Sequence, residues 1–157
     1  MDILEYAIKM ELDGEKFYNE QAFANRNNSL HTVFLSIAHD EANHARIISK
    51  KKDGVNLHLN EKTRESAKNI FSDLAGFEIE SDDPRQVDVY REALKKEQES
   101  IELYEKLLSE SDEDLELYRF LISQEKEHFK LLEEIIKMVN RPNEWVEAAE
   151  FGRREEY

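Results

Sequence analysis

The sequence predicts an all-α chain: a four-helix bundle of two helical hairpins, joined by a long crossover and followed by a short C-terminal helix. Three observations carry this expectation. Only 4 of the 157 residues are glycine and 2 are proline, while 37% are charged, a composition of long helices rather than of strands and turns. Four stretches repeat apolar residues at the spacing of one helix face. The second half also echoes the first: Ala7-Ile8-Lys9-Met10-Glu11-Leu12-Asp13-Gly14-Glu15-Lys16-Phe17-Tyr18 lines up with Ala93-Leu94-Lys95-Lys96-Glu97-Gln98-Glu99-Ser100-Ile101-Glu102-Leu103-Tyr104. Alanine, glutamate, a small residue and tyrosine recur at the same offsets, which reads as a duplicated hairpin.

The first helix is expected from about Asp2 to Ala24, on a stripe of Leu4, Ala7, Ile8, Glu11, Gly14, Tyr18 and Ala22. Asn25 to Ser29 is a turn cluster, with Ser29 placed as the N-cap of the second helix. That helix carries Phe34, Ile37, Glu41, His44 and Ile48 on one face and runs to about Lys52, with Gly54 just past Lys50, Lys51 and Lys52 as a helix C-terminus prefers. Residues 2–52 thus form hairpin 1. Residues 53–83 break the pattern, with a short helix near Glu61–Leu74, and suit a crossover running the length of a bundle.

Asp83-Pro84 supplies a cap and a first-turn proline for the third long helix, which carries Tyr90, Leu94, Glu97, Ile101, Tyr104 and Leu108 and runs to about Ser109. Ser111-Asp112-Glu113-Asp114 reads as a capping box for the fourth. Leu117, Leu121, Glu125, His128, Leu132 and Ile135 line that helix, which is expected to end near Asn140-Arg141-Pro142. Hairpin 2 is therefore residues 84–140. Asn143 then caps a short final helix, Glu144–Phe151, closed by Gly152, within a tail of residues 141–157. Nothing resembles a flexible linker, so residues 1–157 read as a single domain.

Composition excludes several functions. The chain has no cysteine, which removes disulfides, zinc-thiolate and iron–sulfur sites and thiol catalysis. No apolar run approaches the roughly 20 residues of a membrane span, and Met-Asp-Ile-Leu-Glu lacks a basic leader start, so a cytoplasmic protein is expected. A net charge of −14 disfavours nucleic acid and anionic membranes as partners. It favours cations, although solubility explains acidity equally well.

The chemistry lies in a phrase used twice. Glu41-Ala42-Asn43-His44 and Glu125-Lys126-Glu127-His128 are both Glu-x-x-His, and a helix projects residues three apart from one face. Each hairpin adds a lone glutamate on its other helix, Glu11 and Glu97. Two Glu-x-x-His pairs and two further carboxylates make the six-ligand set of a two-metal carboxylate site in a four-helix bundle. Depth supports the set. Glu11 and Glu41 each lie 15 residues from Arg26, and Glu97 and Glu125 each lie 14 from Ser111, or ~22 and ~21 Å along a helix. All six interrupt apolar faces, where four carboxylates without a cation would be prohibitively costly. Hard carboxylate oxygens with imidazole suit iron or manganese.

Taken singly, a Glu-x-x-His in a glutamate-rich chain is weak evidence; duplication, matched depth and shared apolar faces together make the case. His31, His39 and His58 lack a glutamate three positions back and read as surface or loop residues. Glu99, Glu102, Glu113 and Glu133 read as solvated faces, and Phe23, Phe34, Phe71, Phe120 and Phe129 as core or interface. Gly14 and Ser100, one turn from Glu11 and Glu97, either leave space for a small oxidant or permit close helix packing.

On A-x-x-x-E-x-x-G-x-x-F-Y in the first helix, D-E-x-x-H in the second, E-x-x-x-x-x-x-Y in the third and E-x-x-H in the fourth, the chain resembles the rubrerythrin branch of the ferritin-like di-iron superfamily. The resemblance covers all four long helices. It implies two iron ions (or manganese) bridged by Glu41 and Glu125, with Glu11 and Glu97 as terminal carboxylates and one histidine, His44 or His128, on each ion. It also implies that the residue before each helix-2 or helix-4 glutamate serves the opposite histidine: Asp40 for His128 and Gln124 for His44. Tyr18 and Tyr104 either donate to ligand carboxylates or are ordinary core tyrosines. Two departures stand out: the cysteine-ligated rubredoxin module of full-length rubrerythrins is absent, and Ser100 stands where they carry a further glutamate associated with ligand exchange.

The expected activity is reduction of hydrogen peroxide or dioxygen at the two-metal centre of a homodimer, with electrons from an external donor such as a rubredoxin-like protein. The alternatives are a ferritin-like iron oxidation and storage protein, which needs a hollow shell, and a metal-free acidic helical interaction module.

Overall fold

A computed structural model of the chain describes residues 2–55, 67–73 and 84–150. Every regular element among them is an α-helix: α1 (Ile3–Ala24), α2 (Leu30–Lys52), α3 (Ala67–Asp73), α4 (Pro84–Glu110) and α5 (Leu115–Glu150). Helices α1 and α2 pack as one hairpin and α4 and α5 as the other, while α3 lies against α2 and α5. The expected crossover helix is present in part as α3; residues 61–66 lie outside the described residues.

Local chemistry explains most boundaries. The Asp2 carboxylate accepts from the backbone N–H groups of Leu4 and Glu5 at 2.8 and 2.9 Å, capping α1. At the other end of that hairpin, Ser29 does not cap α2 as expected. Its backbone is already helical (φ −70°, ψ −17°) and its side chain makes no capping bond. Asn28 supplies the acceptor instead, taking the Leu30 N–H at 2.9 Å. Helix α2 ends as the sequence predicts. Gly54 has φ +78°, its N–H reaches the Lys51 carbonyl and that of Val55 the Lys50 carbonyl, each at 3.0 Å. These are the paired bonds of a Schellman ending, which needs the left-handed residue that glycine provides.

The second hairpin departs from expectation twice. Ser111 forms no capping box: its hydroxyl donates to the Glu113 carbonyl at 2.7 Å within the turn. Helix α5 instead starts after Asp114, whose φ is +63° and whose carboxylate pairs with Lys51 at 2.7 Å, tying the turn to the end of α2. At its far end α5 does not stop near Asn140; it runs unbroken to Glu150, so no separate short helix begins at Glu144. Phe151 and Gly152 lie outside the described residues. Pro142 removes one donor, the bond to the carbonyl of residue 138, and one missing bond bends or weakens a helix without requiring it to end.

Two apolar clusters fill the bundle. One joins Tyr18, Ala22, Leu30, Phe34, Ile37, Tyr90, Leu132 and Ile135 with their neighbours. The other joins Ala7, Ile47, Ile48, Tyr104, Leu117 and Leu121. Along all four long helices the six conspicuous Glu and His residues fall between these clusters. Each fully buried large side chain contributes roughly 1.5–3 kcal/mol, which offsets the cost of a polar layer in the middle. Phe23, expected in the core or at an interface, is not in the core: it is 66% exposed, with the Arg26 guanidinium 4.3 Å from its ring centre. A buried polar link also joins the hairpins, as Asn25 donates to the Tyr90 hydroxyl at 3.2 Å and Tyr90 to Gln86 at 2.8 Å.

Candidate metal centre

Amphipathic patterning turns the apolar stripe of each long helix inward, and the interrupting polar residues go with it. Glu11, Glu41, His44, Glu97, Glu125 and His128 are all buried, none more than 4% exposed. They converge into two sets, Glu11–Glu41–His44–Glu125 and Glu41–Glu97–Glu125–His128. Within each set one donor atom per residue lies within 4.8 Å of all the others, and Glu41 and Glu125 belong to both. The two imidazole rings face each other at 6.1 Å between centres.

Each histidine presents its two nitrogens differently. His44 Nδ1 faces Glu125 at 3.0 Å and Glu11 at 3.3 Å, while its Nε2–H donates to Gln124 Oε1 at 3.2 Å. His128 Nδ1 faces Glu41 at 3.0 Å and Glu97 at 3.8 Å, and its Nε2–H donates to Asp40 at 2.9 Å. An outer acceptor of this kind fixes the tautomer and leaves the inner nitrogen as a lone-pair donor. The tyrosines cross between hairpins: Tyr18 on α1 donates to Glu97 on α4, and Tyr104 on α4 donates to Glu11 on α1, both at 2.6 Å. Asp40, Gln124, Tyr18 and Tyr104 therefore all contact the cluster, and the open alternative for the tyrosines resolves toward hydrogen bonding. His39 is exposed, and His31 is half-buried with Nδ1–H on the Ala22 carbonyl at 2.7 Å. His58 lies outside the described residues.

The electrostatics of the bare protein are strained. Burial first, then the charges of Glu11, Glu125 and Glu97, push the Glu41 carboxyl well above its ordinary range. Burial and Glu125 do the same to Glu97, and burial and Glu11 raise Glu125. Glu11 is opposite: burial pushes it up, but the charge of His44 and hydrogen bonds from His44, Glu41 and Tyr104 bring it down to about 2. Burial works against charge on His44 and His128, yet Glu11 beside the first and Asp40 and Glu97 beside the second raise both. Burial and the neighbouring carboxylates keep Tyr18 and Tyr104 protonated, so both remain donors.

Both oxygens of Glu125, Glu41 Oε1, Glu97 Oε2 and His128 Nδ1 are buried without a hydrogen bond. Among them His128 Nδ1 and Glu41 Oε1 lie 3.0 Å apart, close enough for attraction but without hydrogen-bond geometry. Buried polar atoms are rarely left so, and here the orphans all point into one space. Oxygen and imidazole donors around a shared pair of carboxylates fit two hard metal ions.

Gly14 stands against this cluster. A Cβ there would come within 2.8 Å of Glu41 Oε2. The small residue makes room for a carboxylate, a role between the two that its spacing suggested. Beside it a cleft of about 480 Å³ opens between α1 and α4, reaching Glu41 and Glu97 and walled in part by Met10, Phe17, Ala93 and Ser100.

The rubrerythrin family model matches residues 2–136, a span that includes all six converging residues. The chain belongs to the rubrerythrin family. No curated protein and no solved structure matches it. No described helix is long and apolar enough to cross a membrane. Sequence reasoning missed Met10 and Phe17 as cleft residues; Met10 flanks the Glu11 position and Phe17 is itself a motif position, but neither carries chemistry that spacing alone would flag.

Proposed function

We propose that this rubrerythrin-family chain is a di-iron oxidoreductase, acting in the cytoplasm as a homodimer, that reduces hydrogen peroxide or dioxygen with electrons from an external donor. The observation that carries the reading is the pair of buried ligand sets sharing Glu41 and Glu125, with orphaned atoms aimed between them. In this reading Glu11 and His44 would hold one ion, Glu97 and His128 would hold the other, and Glu41 and Glu125, which belong to both sets, would serve both. The ions would supply two electrons together, the number that a peroxide bond needs to break. Gln124 and Asp40 hold the imidazoles with Nδ1 inward. Tyr104 and Tyr18 each take one oxygen of Glu11 and Glu97, leaving the other oxygen free to ligate, and the two apolar clusters exclude bulk water above and below.

The test is anaerobic loading with Fe(II), followed by oxidation with peroxide or dioxygen. Uptake should stop near two ions per chain, and peroxide or dioxygen should then oxidise both. Continued uptake would favour iron storage, and no uptake would leave an acidic helical module.

Gly14→Ala separates site geometry from helix stability. Alanine favours a helix interior over glycine by about 1 kcal/mol, and the Glu41 side chain can swing aside. The metal-free variant should therefore melt no lower than the wild type. Its metal affinity should fall roughly 10–100-fold, the range for groups that position ligands. Chelator competition alongside thermal melts measures both, and unchanged affinity would remove Gly14 from the site.

A further inference from the structure

The two seams between the hairpins are treated differently. Helix α3 packs against both α2 and α5, covering one. Between α1 and α4 the cleft of about 480 Å³ runs down to the Glu41 and Glu97 carboxylates. Hydrogen peroxide is two oxygens, and a water in the liquid occupies about 30 Å³, so the oxidant fills only a small part of this space. Volumes of about 300–1,000 Å³ belong to sites for organic molecules.

Polarity in the cleft is ordered. Its floor holds Glu41, Glu97 and Tyr18, all buried. Its walls include Tyr6, Met10, Phe17 and Ala93, with the exposed charged residues Glu92, Lys96 and Glu99 at its outer edge. The Ser100 hydroxyl is turned into the wall, donating to the Lys96 carbonyl at 3.1 Å and lying 3.4 Å from Met10 Sδ. Lys9 and Asp13, paired at 2.9 Å and largely exposed, stand at the rim. Such a cleft suits a molecule with one small polar end and a compact apolar body.

We propose that the α1/α4 cleft binds organic hydroperoxides, peroxide end toward Glu41 and Glu97 and alkyl or aryl body against Tyr6, Met10, Phe17 and Ala93. This rests on the peroxide-reducing reading above and names its substrate class. The overall change is ROOH + 2 e⁻ + 2 H⁺ → ROH + H₂O. The O–O bond breaks, one oxygen leaves as water and the other stays on carbon as an alcohol. The electrons come from the external one-electron donor, in two transfers, and the protons from solvent.

The test uses iron-loaded, reduced, full-length protein without dioxygen, treated separately with hydrogen peroxide and cumene hydroperoxide. A second arm titrates the product alcohol, 2-phenyl-2-propanol, into metal-free protein and follows the Met10 methyl resonance by NMR. Cumene hydroperoxide should oxidise the protein at a rate within tenfold of hydrogen peroxide, yielding one alcohol per two electrons, and the alcohol should shift the Met10 signal saturably. Met10→Trp, which narrows the cleft at a half-buried position, should lower the cumene-to-hydrogen-peroxide rate ratio at least tenfold. Ala93→Leu should do the same if the first variant loses helicity. Oxidation by hydrogen peroxide but not by cumene hydroperoxide, or an unmoved Met10 signal, would overturn this inference and leave the proposed function standing. Oxidation by neither peroxide would overturn both.

Discussion

Replacing His44 by alanine should strip metal from the protein, while replacing His39 by alanine should leave it. Both histidines lie on α2, five residues apart, and differ in what their side chains meet. His44 is fully buried, with Nδ1 within 3.3 Å of Glu11 and Glu125 and Nε2 on Gln124. His39 is exposed. Removing a group that merely orients a ligand weakens metal binding about 10–100-fold, so removing the ligand itself should exceed about 100-fold. Iron per chain and the oxidation rate measure the effect, with circular dichroism confirming that the bundle persists. Equal iron content in the two variants would remove His44 from the centre.

The second large effect is on stability. In the metal-free protein Glu41, Glu97 and Glu125 are raised above their ordinary value of 4.5, and His44 and His128 above 6.5. A group whose folded pKa is raised lends stability below its unfolded pKa and loses it as pH rises through the folded one. The three carboxyls therefore act in this direction in the window above about pH 4.5, joined by the two histidines above about pH 6.5. Glu11, lowered to about 2, works oppositely, but its stability is lost only as pH falls below about 4.5 toward that value. The metal-free bundle should thus melt progressively lower as pH rises across this window. Metal at a thousandfold excess over Kd should stabilise the native state by about 4 kcal/mol. At roughly 2–4 °C per kcal/mol for a domain of this size, that is on the order of 10 °C. Changing Glu97, whose carboxyl is raised by burial and by Glu125, to leucine should raise the melting temperature of the metal-free form at neutral pH and abolish redox activity. Coincident melts with and without metal would mean that the carboxylates are no metal site.

The sequence made the layer legible because its chemistry breaks a pattern. Glu41, His44, Glu125 and His128 interrupt apolar stripes at helical spacing, and equal depth in two antiparallel helices brings them level. Helix physics fixes that much without tertiary detail. Which tyrosine meets which glutamate was not readable, because the crossing of Tyr18 to Glu97 and Tyr104 to Glu11 depends on the rotation of one hairpin against the other. The caps failed for a related reason. Asn28 and Ser29 are both good N-caps, and the backbone path through the turn decides between them. Pro142 signals an ending that the helix overrides, since local preference is weighed against a continuous helix around it.

The most direct measurement is the position of bound iron. Crystals of the iron-loaded protein, with data collected at the iron absorption edge, should show two anomalous peaks per chain about 3.5–4 Å apart. Both should lie between Glu41 and Glu125, one beside His44 and the other beside His128. A single peak, peaks on the acidic surface, or none at this layer would contradict a two-iron centre built from these six residues.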